Sequence, residues 1–361
     1  MSRYLHTISR TPVLLLALLV LCLVTGCQAP SQATRTPSPT PTIPVTRITT
    51  ANAARLKQLS SLNIDDGIVR SVAWSPNGAL LAVGSAHHVR LLDPRTEQPK
   101  TILPGDTGVV DALAWSPDGA SLAAGDEDGG VYVWDVASRT LHSTLRMTGP
   151  PVFVAAWSPD GAKLATGDGS GHVIIWDAAT GEQLSVWFGD AHGRFYESSR
   201  PLAVYGVGWS PDGARLASTR YDGLLQFWDA RTGRNLGALP TSDKPNALAW
   251  SPDGRLVATG NDDGAAQIWN ATTMTAQGAF LAHPLASWAY ATPWSPDGTL
   301  LAISRGFGLL QVWDTASGKE LAAVMATADN KQLRGAAWSP DGLHLVTGGD
   351  DGTVRLWGVP A

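Results

Sequence analysis

Two cysteines and eight histidines are the side chains of this 361-residue chain best suited to nucleophilic or metal chemistry, and their spacing closes most routes. No two histidines stand at the helical i, i+4 spacing of a metal site. His87 and His88 are adjacent, so a strand would aim them at opposite faces; they read as turn residues. Asp126-Glu127-Asp128-Gly129 and Asp262-Asp263-Gly264 gather carboxylates, but a calcium loop needs oxygens at several further positions. Both read as tight turns. Gly167-Asp168-Gly169-Ser170-Gly171 has the glycines of a phosphate cradle, yet no helix follows to supply the amides. The zinc-protease, nucleophile-elbow and phosphate-loop motifs are absent. No catalytic, metal or cofactor residue is assigned. One reactive group remains: the thiol of Cys27, which follows two small residues, Thr25 and Gly26.

The segment that presents Cys27 is an address. Arg3 and Arg10 precede Val13–Val24, a run of 12 apolar residues. A bilayer span needs about 20, so the run reads as the core of a signal peptide. The ending Val24-Thr25-Gly26-Cys27 resembles the lipobox of bacterial lipoproteins. That resemblance implies a diacylglyceryl group on Cys27, cleavage before it and possible acylation of its amine. Two or three acyl chains anchor a domain stably where one does not. Cleavage removes two arginines and no acid, so the net charge of −5 becomes −7. It also removes Cys22, leaving no thiol pair for a disulfide. Residues 28–47 are rich in Pro, Thr and Ser and too poor in apolar groups to offset the entropy of ordering. As extended polyproline they would reach about 60 Å. The expected organisation is signal peptide 1–26, lipidated cysteine and spacer 27–50, and one domain 51–361. The expected location is the extracytoplasmic face of a bacterial membrane.

The domain is a repeat. Trp-Ser-Pro-Asp-Gly occurs at Trp74 (with Asn77 for Asp), Trp115, Trp157, Trp209, Trp250, Trp294 and Trp338, at spacings of 41, 42, 52, 41, 44 and 44. A β-forming run ending in Trp-Asp follows at Trp134, Trp176, Trp228 and Trp313, with variants at Trp269-Asn270 and Trp357-Gly358 and with Leu92-Asp93 in the first copy. These positions absorb thirteen of the 15 tryptophans. Each unit reads as four short strands joined by tight turns, with no helical period. The fold class is all-β.

The two motifs at this period resemble the WD40-repeat family. The resemblance covers roughly residues 56–358 and implies a seven-bladed β-propeller of four-stranded antiparallel blades. The last copy stops at its third strand, Val354–Trp357. Leu56–Leu62, ahead of the first copy, is expected to supply the missing strand and close the ring. The family's Gly-His before the first strand is kept in no copy, and the turn Asp is missing from the first and sixth. Its His–Asp–Ser/Thr–Trp network is therefore expected to be mostly incomplete.

Function must then lie on a surface. Charged residues are only 16% of the chain and the acidic balance argues against nucleic acid. In propellers of this family, partners often use the face built from the loops before the first strand and after the second. The residue four before each motif Trp should lie near that face: Arg70, Asp111, Phe153, Tyr205, Asn246, Tyr290 and Arg334. This position mixes Arg, Tyr and Phe, the types that dominate interface hot spots. The 52-residue spacing inserts about ten residues carrying Phe195 and Tyr196. Trp187 and Trp288, the two tryptophans outside the motifs, flank such loops. All are candidate partner-binding residues. The expected function is a monomeric, membrane-anchored scaffold for an unknown protein partner. The alternative is a propeller enzyme, or a ligand- or metal-binding protein, that uses the central channel.

Overall fold

The computed structural model describes residues 44–96, 99–105, 107–146, 150–188, 202–280, 287–327 and 329–361. Cys27, Phe195 and Tyr196 lie outside them. The described residues form seven antiparallel sheets. Six contain four strands each, in sequence order, spanning Ser71–Ile102, Val110–Arg146, Val152–Phe188, Val204–Pro240, Pro245–Phe280 and Ala289–Met325. The seventh holds Leu333–Trp338, His344–Gly349 and Thr353–Pro360. Its fourth place is taken by Lys57–Asn63, which pairs antiparallel with Thr353–Pro360 from Lys57 opposite Gly358 to Asn63 opposite Thr353. The ring of seven blades is thus closed by a strand from the chain's N-terminal side.

The compact unit begins earlier than residue 51. Val45 and Thr46 pair with Pro360 and Val359, and Ile48 is buried in the core with Ala53 and Leu56. Arg55 Nη2 donates to the Pro360 carbonyl at 3.0 Å. The apolar residues Val45 and Ile48, spaced among prolines and threonines, carry residues 45–50 out of the spacer and into the fold.

Each part of Trp-Ser-Pro-Asp-Gly has a local reason. The Ser hydroxyl donates to the Asp two residues on, at 2.5–2.7 Å in six blades, and to Asn77 at 2.8 Å in the first. It also accepts the backbone N–H five residues on, at 2.8–2.9 Å. The turn glycine lies at φ between +69° and +72° in all seven blades, a left-handed conformation that costs glycine least. The indole reaches sideways. Trp115, Trp157, Trp209, Trp250, Trp294 and Trp338 each donate Nε1–H to the carbonyl just before the equivalent Trp of the preceding blade, at 2.9–3.2 Å. Six inter-blade seams are stapled in this way. The seventh is not: Trp74 Nε1 is buried without a hydrogen-bond partner.

The second motif Trp acts within its blade. Trp176, Trp228, Trp269 and Trp357 donate to Thr166, Ser218, Thr259 and Thr347, ten residues earlier on the neighbouring strand, at 2.9–3.0 Å. The Ser/Thr–Trp half of the family network therefore survives in four blades. In the first blade Leu92 replaces the Trp, and a small apolar void of about 30 Å³ lies among Leu62, Leu81, Leu92, Val346, Val354 and Leu356. Apolar clusters fill the remaining inter-blade space.

Candidate functional site

Strand direction gives the propeller two unlike ends. The Ser-Pro-Asp-Gly turns all lie at one end, and the turns after the second strands lie at the other. At that second end a cavity of about 560 Å³ opens along the axis. Arg70, Asp111, Phe153, Tyr205, Asn246, Tyr290 and Arg334 all line it, one from each blade, together with Trp288. Each sits at the start of a first strand, one full strand from its motif Trp, so the motif spacing brings all seven to one level.

Tyr221 and Asp262 also line the cavity, although Asp262-Asp263-Gly264 reads in the sequence as a tight turn alone. A register signal was present. The residue sixteen after each first-strand start falls in the turn directly opposite it. Asn246 Nδ2 donates to Asp262. Arg334 makes a bidentate pair with Asp350 at 3.0 and 3.1 Å. Tyr205 packs on Tyr221 with centroids 5.5 Å apart. All three pairs share that offset of sixteen.

The wall is built from interlocked groups. Phe153 stacks on Tyr205 at 4.6 Å, and Lys244 Nζ lies 4.9 Å from the centroid of Tyr221. The Arg334 guanidinium lies 4.6 Å from the centroid of Tyr290, a cation–π contact. Tyr290 Oη donates to Gln332 at 2.5 Å. Trp288 meets Tyr290 edge to face at 5.8 Å and remains 47% exposed. Arg70 pairs with Asp111 at 2.7 Å across the first two blades. Burial pushes the Asp111 and Asp262 carboxyls above the usual carboxylate range, against the pull of Arg70 and Asn246 respectively. Burial also raises the Tyr290 phenol to about 12. Among the described residues no group of three His, Cys, Asp or Glu is placed to hold a metal ion.

Trp187 requires a correction. It is buried, stacks on Trp228 at 5.7 Å and packs over Gly233 of the next blade. Its strand, Gln183–Phe188, points it inward between blades, so it is a packing residue. The exposed ring at that strand's end is Phe188. His87 and His88 stand in a turn, as expected. His88 Nδ1, Ser85 Oγ and Arg90 Nη1 converge on Asp66 Oδ2 at 2.8, 2.6 and 2.9 Å. Burial pushes the Asp66 carboxyl up, but these three donors outweigh it and hold the carboxyl at about 2.

Seven four-stranded blades around one axial cavity define a seven-bladed β-propeller. Comparison with family profiles agrees with the repeat chemistry. The profile described as WD domain, G-beta repeat matches residues 192–229, 233–270 and 323–358, and the one described as IFT140 first beta-propeller matches residues 57–185. The chain therefore carries WD40 repeats. Comparison with curated proteins returns no match.

Proposed function

We propose that this chain is a membrane-anchored, extracytoplasmic scaffold that binds a protein partner on the cavity end of its propeller. One asymmetry carries the reading. Of eight large apolar side chains exposed among the described residues, Leu202, Trp288 and Phe307 stand beside first-strand starts or second-strand turns at the cavity end, and Ile102, Phe188 and Met325 finish outer strands paired with third strands that begin there, while Leu141 and Leu184 begin outer strands. All the exposed aromatic rings in that set are at the cavity end. Three of the eight, Trp288, Phe307 and Met325, belong to the sixth blade, and exposed apolar groups gathered in this way mark interaction surfaces. Val45, the first paired residue of the propeller, pairs at the opposite end.

Two experiments test the two halves. Cys27→Ser should move the protein from the membrane to the soluble fraction and abolish a lipid-modified N-terminal peptide in mass spectra; retention at the membrane refutes anchoring. Crosslinking from membranes should lose its partner with Phe188→Ser/Met325→Ser and keep it with Leu141→Ser/Leu184→Ser. Equal capture by both variants refutes the assignment of the face.

A further inference from the structure

The cavity wall offers something different from the exposed apolar side chains beyond it, and we infer that the cavity binds a neutral, polyhydroxylated ligand: a free sugar or the end of a glycan chain. The ionisable lining residues are Arg70, Arg334, Asp111 and Asp262, two of each sign, so the cavity carries no formal charge to attract a free ion. The volume falls in the range of roughly 300–1,000 Å³ typical of small-molecule sites.

Besides the buried Arg70 Nε, Asp111 Oδ2 and Thr292 Oγ1, three polar groups on three different blades are uncommitted among the described residues. Arg334 spends Nε and Nη2 on Asp350, leaving Nη1 as a donor without a protein acceptor. Asn246 gives Nδ2 to Asp262, leaving Oδ1 as an acceptor. Tyr205 Oη, which can donate or accept, has no hydrogen-bond partner among the described residues. The first two are also pre-positioned: the guanidinium by Asp350 and Tyr290, the carboxamide by Asp262. Holding such groups in place before the ligand arrives removes part of the ordering cost of binding. The half-exposed ring of Trp288 lines the same cavity and offers a flat apolar surface. Alternating donors and acceptors around an aromatic plane match a pyranose, which has hydroxyls at its rim and C–H bonds on its face. A carboxylate or ammonium ligand would find no net charge of the opposite sign to hold it.

The test is calorimetric titration of the full-length protein with glucose, N-acetylglucosamine, maltose and N,N′-diacetylchitobiose, with glucuronate and glucosamine as charged analogues. At least one neutral sugar should bind with a Kd below 1 mM, and its charged analogue at least tenfold more weakly. Trp288→Ala and Asn246→Ala should each weaken binding tenfold or more while the circular-dichroism spectrum shows the parent's fold. Phe188→Ser/Met325→Ser should leave it unchanged, which separates this site from the partner face. Tighter binding of the disaccharide than of its monosaccharide points to a glycan end, and equal affinity points to a free sugar; either supports the inference. No binding by any neutral sugar, or undiminished binding in both cavity variants, overturns it, whatever the outcome of partner crosslinking.

Discussion

The indole staples make a quantitative prediction, because one blade supplies its own control. Trp115 and Trp74 occupy the same motif position and are both partly buried against an inter-blade cluster. Trp115 donates to the Ala73 carbonyl at 3.0 Å, whereas Trp74 Nε1 has no partner. Replacing each with Phe removes the same ring atoms, so the loss of apolar contact largely cancels between them. What differs is the N–H. In Trp115→Phe a hydrogen bond worth about 0.5–1.5 kcal/mol disappears and the Ala73 carbonyl loses its side-chain donor. In Trp74→Phe a buried donor that was already unmatched is removed, relieving its desolvation. Trp115→Phe should therefore be the more destabilising by about 1–2 kcal/mol. For a domain of this size that corresponds to a difference in Tm of roughly 1.5–3 °C. Differential scanning calorimetry of both variants beside the parent, at matched scan rates, reads it directly. Equal losses, or a larger loss at Trp74, would refute the view that these indoles hold neighbouring blades together by hydrogen bonding.

Other consequences follow from the seam and the buried charges. Deleting Lys57–Asn63 removes the strand that pairs with Thr353–Pro360 and exposes that edge, so light scattering should show concentration-dependent aggregation; a monomer with unchanged Tm would contradict ring closure. Arg305 is fully buried with Nε, Nη1 and Nη2 all unpartnered, and burial lowers its guanidinium to about 10 despite the nearby charges of Glu320 and Asp263. Arg220, at the same place in the fourth blade, is paired with Asp222 two residues on, where the sixth blade has Phe307 at φ +57°. Phe307→Asp should supply that partner and ease the left-handed backbone, raising Tm by a few degrees; a fall in Tm would show that the pairing geometry does not transfer. Asp66 is held at about 2 against an ordinary value of 3.8. Its stabilising contribution is complete above the ordinary value and is lost as pH falls from about 4 toward 2. Asp66→Asn should thus lower stability at pH 7 and much less at pH 2.5 in urea melts; a pH-independent loss would exclude the carboxylate as the cause.

Most of the fold was legible because its motifs are chemical necessities repeated seven times. A Ser, Pro, Asp and Gly in that order make one turn, and the Trp before them reaches across to the preceding blade. The cavity residues were legible for a related reason. Counting four back from a fixed Trp moves along one strand to a fixed height, so Arg70 and Tyr290 could be placed on one ring without knowing their contacts. Direction between blades was harder. Trp187 and Phe188 are neighbours in one strand, and only the pairing of that strand decides which faces inward. The entry of Val45 into the sheet was also hidden, since two residues of pairing leave no periodic pattern. The opposing turn residues Tyr221, Asp262 and Asp350 were obscured by the turn chemistry around them. Asp and Gly are expected there for conformation alone, and that expectation masked a second use.

The two ends of the propeller follow from these constraints. At the end of the Ser-Pro-Asp-Gly turns, every residue is occupied in making the turn, and each turn glycine packs close to its neighbours: Gly78 on Pro340, Gly119 on Pro76, Gly254 on Pro211. Substitution there disturbs a turn and the adjacent blade together, so the sequence is nearly invariant from copy to copy. At the cavity end the first strand has only to begin, and its first side chain projects into open space. That position carries Arg, Asp, Phe, Tyr, Asn, Tyr and Arg in turn. The freedom is local, but it is exercised in register with the opposing turn: a carboxylate faces Asn246 and another faces Arg334, while an aromatic ring faces Tyr205. Paired choices at two positions sixteen residues apart, in blades that otherwise repeat one another, are what a shaped binding cavity requires and what blade packing alone does not. The repeated end supplies the frame, and the varied end supplies the groups that line the cavity.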